Sequence, residues 1–287
     1  MNHKIKFIIA VMSFGTIGVF VRNIALNPAE IALFRALIAL IILSGYVFIT
    51  KNIKNLIVDK KNLLKLFISG AAIGFNWILL FEAFNHTSVA LATLSYYFAP
   101  IIVVVLSALL FKEKLSFKQV LCFLAATVGI VMIVYTGSLE DGNIIGILFG
   151  LSAALLYASV ILINKRISGV DLVARTIFQF LAAVVILVPY VAFTSGFGIL
   201  GLNFIGVANL SILGAYHTGI VYCLYFFGVS RLRGQQVAVL SYLDPVVAVI
   251  LSITILGESI LPIHLVGGGI ILLATFFNEF KRKQVIR

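Results

Sequence analysis

Long apolar runs alternate with short polar connections along almost the whole chain. Ten of these runs have the roughly 20 residues that a helix needs to cross the hydrocarbon core of a bilayer. Their approximate bounds are 5–22, 29–49, 64–85, 89–111, 117–135, 143–163, 172–193, 204–228, 235–256 and 262–279. The pattern therefore predicts an all-α integral membrane protein with ten transmembrane helices in a single membrane domain, and no soluble domain beside it.

The stretch around Pro100 occurs a second time around Pro245. Equivalent residues of the two copies are separated by 145 positions, and the matching pairs are Tyr97 with Tyr242, Pro100 with Pro245, and Glu113 with Glu258. This doubled spacing predicts two five-helix repeats, residues 1–138 and 139–287. Because five is odd, the second repeat is expected to be inverted in the membrane, an arrangement that allows alternating access.

Pro100 and Pro245 fall near the middle of the fourth and ninth runs. Proline has no N–H and clashes with the carbonyl four residues earlier, so it loosens the carbonyls of Tyr96 and Ser241. Broken helices are tolerated in membranes where they face protein or a watery cavity. Paired interruptions in two halves of a transporter point to its binding site. Both prolines are therefore candidate hinge residues beside a central pathway.

Composition and charge agree with a membrane location. The chain is 62% hydrophobic and 11% charged, against about 45–50% and about 25% in soluble domains. A formal net charge of +11 would suggest nucleic acid in a soluble protein, but here the basic residues lie in short connections, so no nucleic-acid partner is expected. Eighteen of them lie in one alternating set of connections and termini, whereas Arg22 is alone in the other. This bias predicts a multi-pass protein of the cell membrane, typical of a bacterial cytoplasmic membrane, with both termini cytoplasmic.

Several motifs together carry a family resemblance. They are Phe34-Arg35-Ala36 early in the second run, the paired prolines, and the Glu113 and Glu258 endings. With two five-helix halves, the chain resembles the EamA-type branch of the drug/metabolite transporter superfamily. The resemblance implies an inverted repeat around a central cavity and transport of small metabolites, without specifying one substrate. The second half has Phe178-Gln179 where the first has Phe34-Arg35, so a role for the arginine does not carry across.

Three charged residues inside the runs are candidates for coupling or charge recognition. Asp244 lies about ten residues into the ninth run, where an ionisable group usually faces the bundle interior. It is interpreted either as a proton or cation site or as a neutral acid bonded to a neighbouring helix. Glu82 and Arg35 have similar predicted depths, and both an ion pair between them and contact with substrate remain open.

Aromatic and amide residues at mid-depth predict the substrate site. The candidates are Asn76, Trp77, Tyr96, Tyr97, Tyr157, Gln179, His217 and Tyr242. Aromatic rings suit planar side chains, or organic cations through cation–π attraction. His217 either titrates near neutral pH or only packs. This set favours a small zwitterionic or cationic substrate, such as an amino acid or amine, with protons as the candidate coupling ion.

Other classes of function are less favoured. The chain has neither a His-Glu-x-x-His helix nor a phosphate-binding loop, so no enzyme, metal site, cofactor or nucleotide is expected. A channel is compatible with the composition, but the repeat favours a carrier that needs no oligomer. A lipid-linked carrier or amphipathic lipid flippase is the main alternative. An enclosed aromatic cavity would favour small metabolites, whereas an opening between helices toward lipid would favour the flippase.

Overall fold

The computed structural model describes residues 3–87, 92, 95–112, 116–134, 144–255 and 262–280, and these residues contain no β-strand. The helices are α1 (His3–Phe14), α2 (Ile17–Val21), α3 (Pro28–Ile49), α4 (Lys60–His86), α5 (Ala99–Phe111), α6 (Phe117–Val134), α7 (Ile144–Lys165), α8 (Leu172–Thr194), α9 (Phe204–Ile212), α10 (Val221–Arg231), α11 (Gly234–Ser241), α12 (Leu243–Thr254) and α13 (Pro262–Phe280). A π-helical segment, Leu213–Ile220, joins α9 to α10.

Six helical segments are long and apolar enough to cross a bilayer. They are His3–Val21, Pro28–Ile49, Lys60–Ala83, Ile144–Lys165, Leu172–Thr194 and Phe204–Arg231. Shorter apolar helices, Ala99–Phe111, Val120–Met132 and Leu265–Ala274, lie within three further predicted runs. The predicted all-helical, multi-pass membrane architecture is confirmed. The count of ten spans and the inverted repeat stay predictions, and Glu113 and Glu258 lie outside the described residues.

The helices pack around an apolar core and leave other apolar side chains facing outward. Helix α4 packs against α7 and α8, and α3 packs against α8. Phe7, Leu33 and Phe180 are fully buried in this core, whereas Ile41 and Leu109 are each 71% exposed. A soluble monomer seldom exposes a large apolar patch. The outward apolar surface therefore fits a bundle whose solvent is lipid.

Aspartate side chains cap the N-termini of two of the long helices. The Asp59 carboxylate accepts a hydrogen bond from the backbone N–H of Asn62 at 2.9 Å, and this hydrogen bond lowers the pKa of Asp59. The Asp171 carboxylate accepts from the N–H groups of Val173 and Ala174 at 2.9 and 3.2 Å. Such caps satisfy N–H groups that have no partner within the first turn of a helix. They therefore help to set where α4 and α8 begin.

Gly70 allows the backbones of α4 and α8 to touch. A methyl group on Gly70 would overlap the carbonyl oxygen of Gln179, whereas one on Gly45 would meet nothing within 4 Å. Small residues allow such close approach between membrane helices. The contact between α4 and α8 therefore depends on the missing side chain at residue 70.

Gly70→Ala should lower the thermal stability of the purified protein, because the added methyl forces α4 and α8 apart. Overpacking of this kind costs about 1–3 kcal/mol, or about 2–4 °C in Tm for each kcal/mol in large domains. Tm would be measured by intrinsic fluorescence in detergent. Gly45→Ala is the matched control and should not lower Tm. Equal Tm values for the two variants would contradict the described α4–α8 contact.

Helix interruptions occur next to both repeated prolines. The chain turns at Tyr97 and Phe98 before α5 begins, and at Tyr242 between α11 and α12. Phe98 N–H donates to Ser95 O at 3.2 Å, and Tyr242 N–H to Val239 O at 3.3 Å. These bonds span three residues instead of four, which tightens the turn where each helix ends. The predicted breaks beside Pro100 and Pro245 are confirmed.

Candidate functional site

The helix interruptions meet at one cavity of about 350 Å³. Its lining comes from the break between α1 and α2, from α3, from both sides of the break before α5, from α7 and α10, and from α11 and α12. The lining residues are Phe14, Gly15, Ile17, Gly18, Arg35, Tyr96, Tyr97, Ala99, Pro100, Tyr157, Tyr222, Tyr225, Ser241, Asp244 and Ala248. The cavity therefore unites five of the proposed binding and charge residues with the hinge candidate Pro100.

Tyrosines form a continuous aromatic wall. The ring centroids of Tyr96 and Tyr157 are 5.7 Å apart, and the hydroxyls of Tyr157 and Tyr225 are hydrogen bonded at 2.5 Å. Tyr222 packs on Tyr225, with ring centroids 6.1 Å apart, and on Phe14 at 4.9 Å. Rings at these separations attract each other and are stiff. The wall offers flat apolar surface with hydroxyl groups at its edge.

One cation lines the cavity, and an indole ring supports it. The Arg35 Cζ atom lies 4.3 Å from the centroid of the Trp77 ring. Trp77 is itself 6% exposed and stacks on Phe180 with centroids 6.4 Å apart. Within the described chain the buried Nε of Arg35 has no hydrogen-bond partner. Trp77 thus lies behind the guanidinium and holds it without neutralising its charge.

One carboxylate also lines the cavity, at the start of a helix. Asp244 lies in the first turn of α12, which begins only because the chain breaks at Tyr242. The N-terminus of a helix carries a partial positive charge that favours an anion. Ser241, the last residue of α11, and Ala248, four positions after Asp244 in α12, also line the cavity. The break therefore creates the local environment of the only acid in this lining.

Of the two possibilities left open for Arg35 and Glu82, the described residues do not show the ion pair. Glu82 accepts a hydrogen bond from the hydroxyl of Tyr190 on α8, and its other oxygen lies 3.9 Å from His86 Nε2. Arg35 is directed toward the cavity and Trp77. The sequence predicts similar depths for the two side chains, but they contact different neighbours, which depth alone does not reveal.

Tyr242 and Gln179 do not line the cavity. Tyr242 is fully buried; its ring stacks on Phe123 at 6.3 Å and its hydroxyl lies 3.3 Å from Thr127 Oγ1. Gln179 Nε2 donates to Ser69 Oγ at 2.6 Å between α8 and α4. Pro245 is buried beside Asp244 but does not line the cavity either. These side chains join helices behind the cavity wall.

His217 and Asn76 also join helices. His217 lies in the π-helical segment, and its Nε2 lies 2.7 Å from Thr16 Oγ1 at the break between α1 and α2. Thr218 Oγ1 in the same segment donates to Leu213 O at 2.8 Å. Asn76 Nδ2 donates to the carbonyl of Ala153 at 2.7 Å, linking α4 to α7. Both residues support the elements that carry cavity residues, and neither contributes to the cavity lining.

The proposed site set omits some of the cavity lining. Tyr225 is three residues after Tyr222, so helical spacing places both on one face, and this signal was present in the sequence. Ser241 was marked in the sequence by its position four residues before Pro245. Phe14 and Gly15 carry no such signal, because only tertiary packing brings the break in the first span against α12. Among the described residues, no group of three or more His, Cys, Asp or Glu side chains could hold a metal ion.

The fold has a counterpart among solved structures. One crystal structure superposes on this chain with a TM-score of 0.85, covering 99% of both chains at 16% sequence identity. At that identity the match shows a shared fold and carries no statement about substrate.

Several proteins are similar to this chain in sequence, including one that is named as a transporter. "Uncharacterized transporter YxxF" of Bacillus subtilis (strain 168) is 30% identical over 256 residues, which cover 88% of this chain and 81% of that protein. "Protein RarD" of Escherichia coli (strain K12) is 24% identical and covers 72% of this chain and 68% of its own. "Protein PecM" of Dickeya dadantii (strain 3937) is 28% identical, covering 71% and 69%.

A family profile matches the chain twice, once in each half, and the two matches together cover almost all of it. The EamA-like transporter family matches residues 4–135 and again residues 144–279. Both matched segments contribute residues to the cavity. The chain belongs to the EamA-like transporter family, and it is a multi-pass membrane transporter.

Proposed function

We propose that the protein is a secondary transporter that moves a small zwitterionic metabolite of the amino-acid type through the tyrosine-lined cavity. The observation that carries this proposal is the presence of Arg35 and Asp244 in one lining without an ion pair within 4 Å between these two described residues. A carboxylate on Arg35 and an ammonium group on Asp244 would pair both charges at once. The tyrosine rings would cover the apolar part of the ligand.

The size of the cavity supports a small metabolite over a lipid. Its volume of about 350 Å³ lies at the lower end of the roughly 300–1,000 Å³ typical of small-molecule sites. A two-chain lipid would need a longer apolar passage. The amphipathic lipid flippase is therefore the less favoured alternative.

The two halves provide a route for alternating access. The double family match and the interruptions 145 positions apart support repeats 1–138 and 139–287, with five spans each and the second inverted. Helices α5 and α11 pack together, and a Cβ atom on Gly234 of α11 would overlap Ser107 of α5. We propose that this contact closes the cavity at its cytoplasmic end. Transport would separate α5 from α11 by rotation at the two interruptions.

Proton coupling follows from the shared carboxylate. Asp244 is the only acid in the cavity lining, so an ammonium group and a proton compete for it. Binding of substrate would release the proton, and protonation would release the substrate. Such mutual exclusion at one group is the physical basis of antiport.

A thermal-stabilisation screen tests the proposed substrate class. Ligands that bind the folded state raise its stability by mass action. Free amino acids should raise the Tm of the purified protein, whereas the matching decarboxylated amines and N-acetyl acids should raise it much less, since each lacks one charge. A larger shift with phospholipid head groups, or none with any amino acid, would contradict the proposal.

Pro100→Ala and Pro245→Ala should each lower the rate of transport more than the amount of folded protein. Alanine restores an N–H that can bond the carbonyl of Tyr96 or Ser241, so each variant favours a continuous, stiffer helix. Rates would be measured in proteoliposomes at equal protein content. Pro189→Ala, within α8 and away from the cavity, is the control. A double variant with wild-type rates would remove the hinge role.

Labelling from outside intact cells tests the proposed orientation. In a background without Cys122 and Cys223, cysteine at Leu200, which is 97% exposed, should react with a membrane-impermeant maleimide. Cysteine at exposed Asn55 should react only after cell lysis, because the basic connection 50–59 is proposed to be cytoplasmic. Reaction of the Asn55→Cys variant in intact cells would reverse the assignment.

A further inference from the structure

A second cavity lies at the end of the bundle that carries the start of α1, the ends of α7 and α10, and the start of α8. Its volume is about 580 Å³, larger than the central cavity. Four cationic side chains, Lys6, Lys165, Arg175 and Arg231, line it together with one carboxylate, Asp171. We call it the basic cavity.

Arg175 shows that the positive charge extends into the wall. It is 4% exposed, and its Nη2 and Nη1 atoms donate to the carbonyls of Ile167 and Asn164 at 3.0 and 3.4 Å. Its buried Nε has no hydrogen-bond partner within the described chain, and no described carboxylate lies within 4 Å of it. A buried cation without an anionic partner is expensive. An anion in the basic cavity would relieve that cost.

The one acid in the lining of the basic cavity already serves as a helix cap. The Asp171 carboxylate is used to cap α8, where it accepts from Val173 and Ala174. Lys6 Nζ and Arg231 Cζ both lie over the ring of Phe227, at 4.4 and 5.8 Å from its centroid. The proposed membrane orientation would explain why this end of the bundle is basic. It does not require that cations from four helices converge on one cavity.

We propose that the basic cavity binds a phosphate-bearing anion. A phosphate group has several strong acceptor oxygens, and arginine and lysine together recognise such groups through charge-assisted hydrogen bonds. The volume leaves room for the rest of a phosphorylated molecule. The phosphate can belong to a soluble compound or to the head group of an anionic phospholipid, and the experiment separates these two sources.

Binding would be measured on the full-length purified protein. Inorganic phosphate and glycerol 3-phosphate serve as soluble probes in calorimetry. Phosphatidylglycerol titrated into phosphatidylcholine nanodiscs, with bound lipid counted by native mass spectrometry, serves as the lipid probe. The test variant is Lys6→Gln/Arg231→Gln. The matched control is Lys54→Gln/Lys61→Gln, which removes the same charge from exposed positions outside the basic cavity.

The test variant should bind the phosphate probe at least about tenfold more weakly than wild type, about 1.4 kcal/mol, whereas the control should stay within about twofold. If the test variant loses binding of the soluble probes, the phosphate belongs to a soluble compound. If it loses binding of phosphatidylglycerol alone, the phosphate belongs to a lipid head group. Equal effects of both double variants, or no binding of either probe to wild type, would overturn the proposal. If the test variant is unstable, Lys6→Gln alone gives the same comparison against Lys54→Gln. Because substrate stabilisation at the central cavity is measured separately, failure here leaves the proposed transport function standing.

Discussion

Asp244→Asn should abolish proton-driven accumulation of substrate while leaving downhill exchange partly intact. Asparagine keeps the shape of the side chain but takes up no proton, so substrate and proton no longer compete for one group. An uncharged amide also attracts an ammonium group less strongly than a carboxylate does, so exchange should need more substrate. Proteoliposomes with and without a pH gradient would separate uphill from downhill transport.

Glu82→Gln is the matched control for this experiment. Glu82 is also a carboxylate of the membrane region, but it is bonded to Tyr190 and does not line the cavity. We expect that variant to keep uphill transport, with some loss of stability. If Asp244→Asn still builds a full gradient, Asp244 has a structural role and the coupling proposal fails.

Arg35→Gln should weaken the binding of an amino acid by roughly 10- to 100-fold while changing little for the decarboxylated amine. Hydrogen bonds that involve a charged group contribute about 1.5–3 kcal/mol, and each 1.4 kcal/mol corresponds to about tenfold in affinity. The loss should be confined to ligands with a carboxylate, because the proposed contact exists only there. Affinities would be measured by ligand-induced shifts in Tm over a concentration series.

Two further variants sharpen this test. Arg35→Lys keeps the charge but loses the planar fork and its stacking on Trp77, so it should fall between wild type and Arg35→Gln. Arg22→Gln removes a cation from an exposed position and should have no effect on affinity. Equal losses for the amino acid and its amine would mean that Arg35 supports the cavity without contacting a carboxylate.

The predictions for Arg35 and Asp244 can be tested separately because the two residues lie in different halves of the chain. Arg35 comes from the first matched segment and Asp244 from the second, and neither has a charged equivalent in the other half, where Gln179 and Ala99 stand. The cavity is therefore asymmetric even though its backbone interruptions are paired. A zwitterion, which is itself asymmetric, fits such a lining better than a symmetric ligand does.

Periodicity and composition were sufficient to predict an all-helical, multi-pass membrane protein. Apolar runs of spanning length predict helices because the backbone must satisfy its own hydrogen bonds in lipid, and six such segments are present in the described residues. The breaks beside Pro100 and Pro245 were also predictable, because the missing N–H acts locally. Arg35 and Asp244 could be singled out as candidates to line a cavity because isolated charges in apolar runs usually face the interior, and both do line it.

Tertiary structure alone decided which neighbours these residues meet. Tyr97 and Tyr242 hold equivalent sequence positions, yet Tyr97 lines the cavity and Tyr242 stacks on Phe123. Glu82 bonds Tyr190 in place of Arg35, and Trp77 supports Arg35 from behind. A helix turns about 100° with each residue, so small differences in how helices rotate against each other redirect whole side chains. The sequence by itself determined the six described spans, the breaks and the two interior charges, and the packing of the helices determined the cavity that joins them.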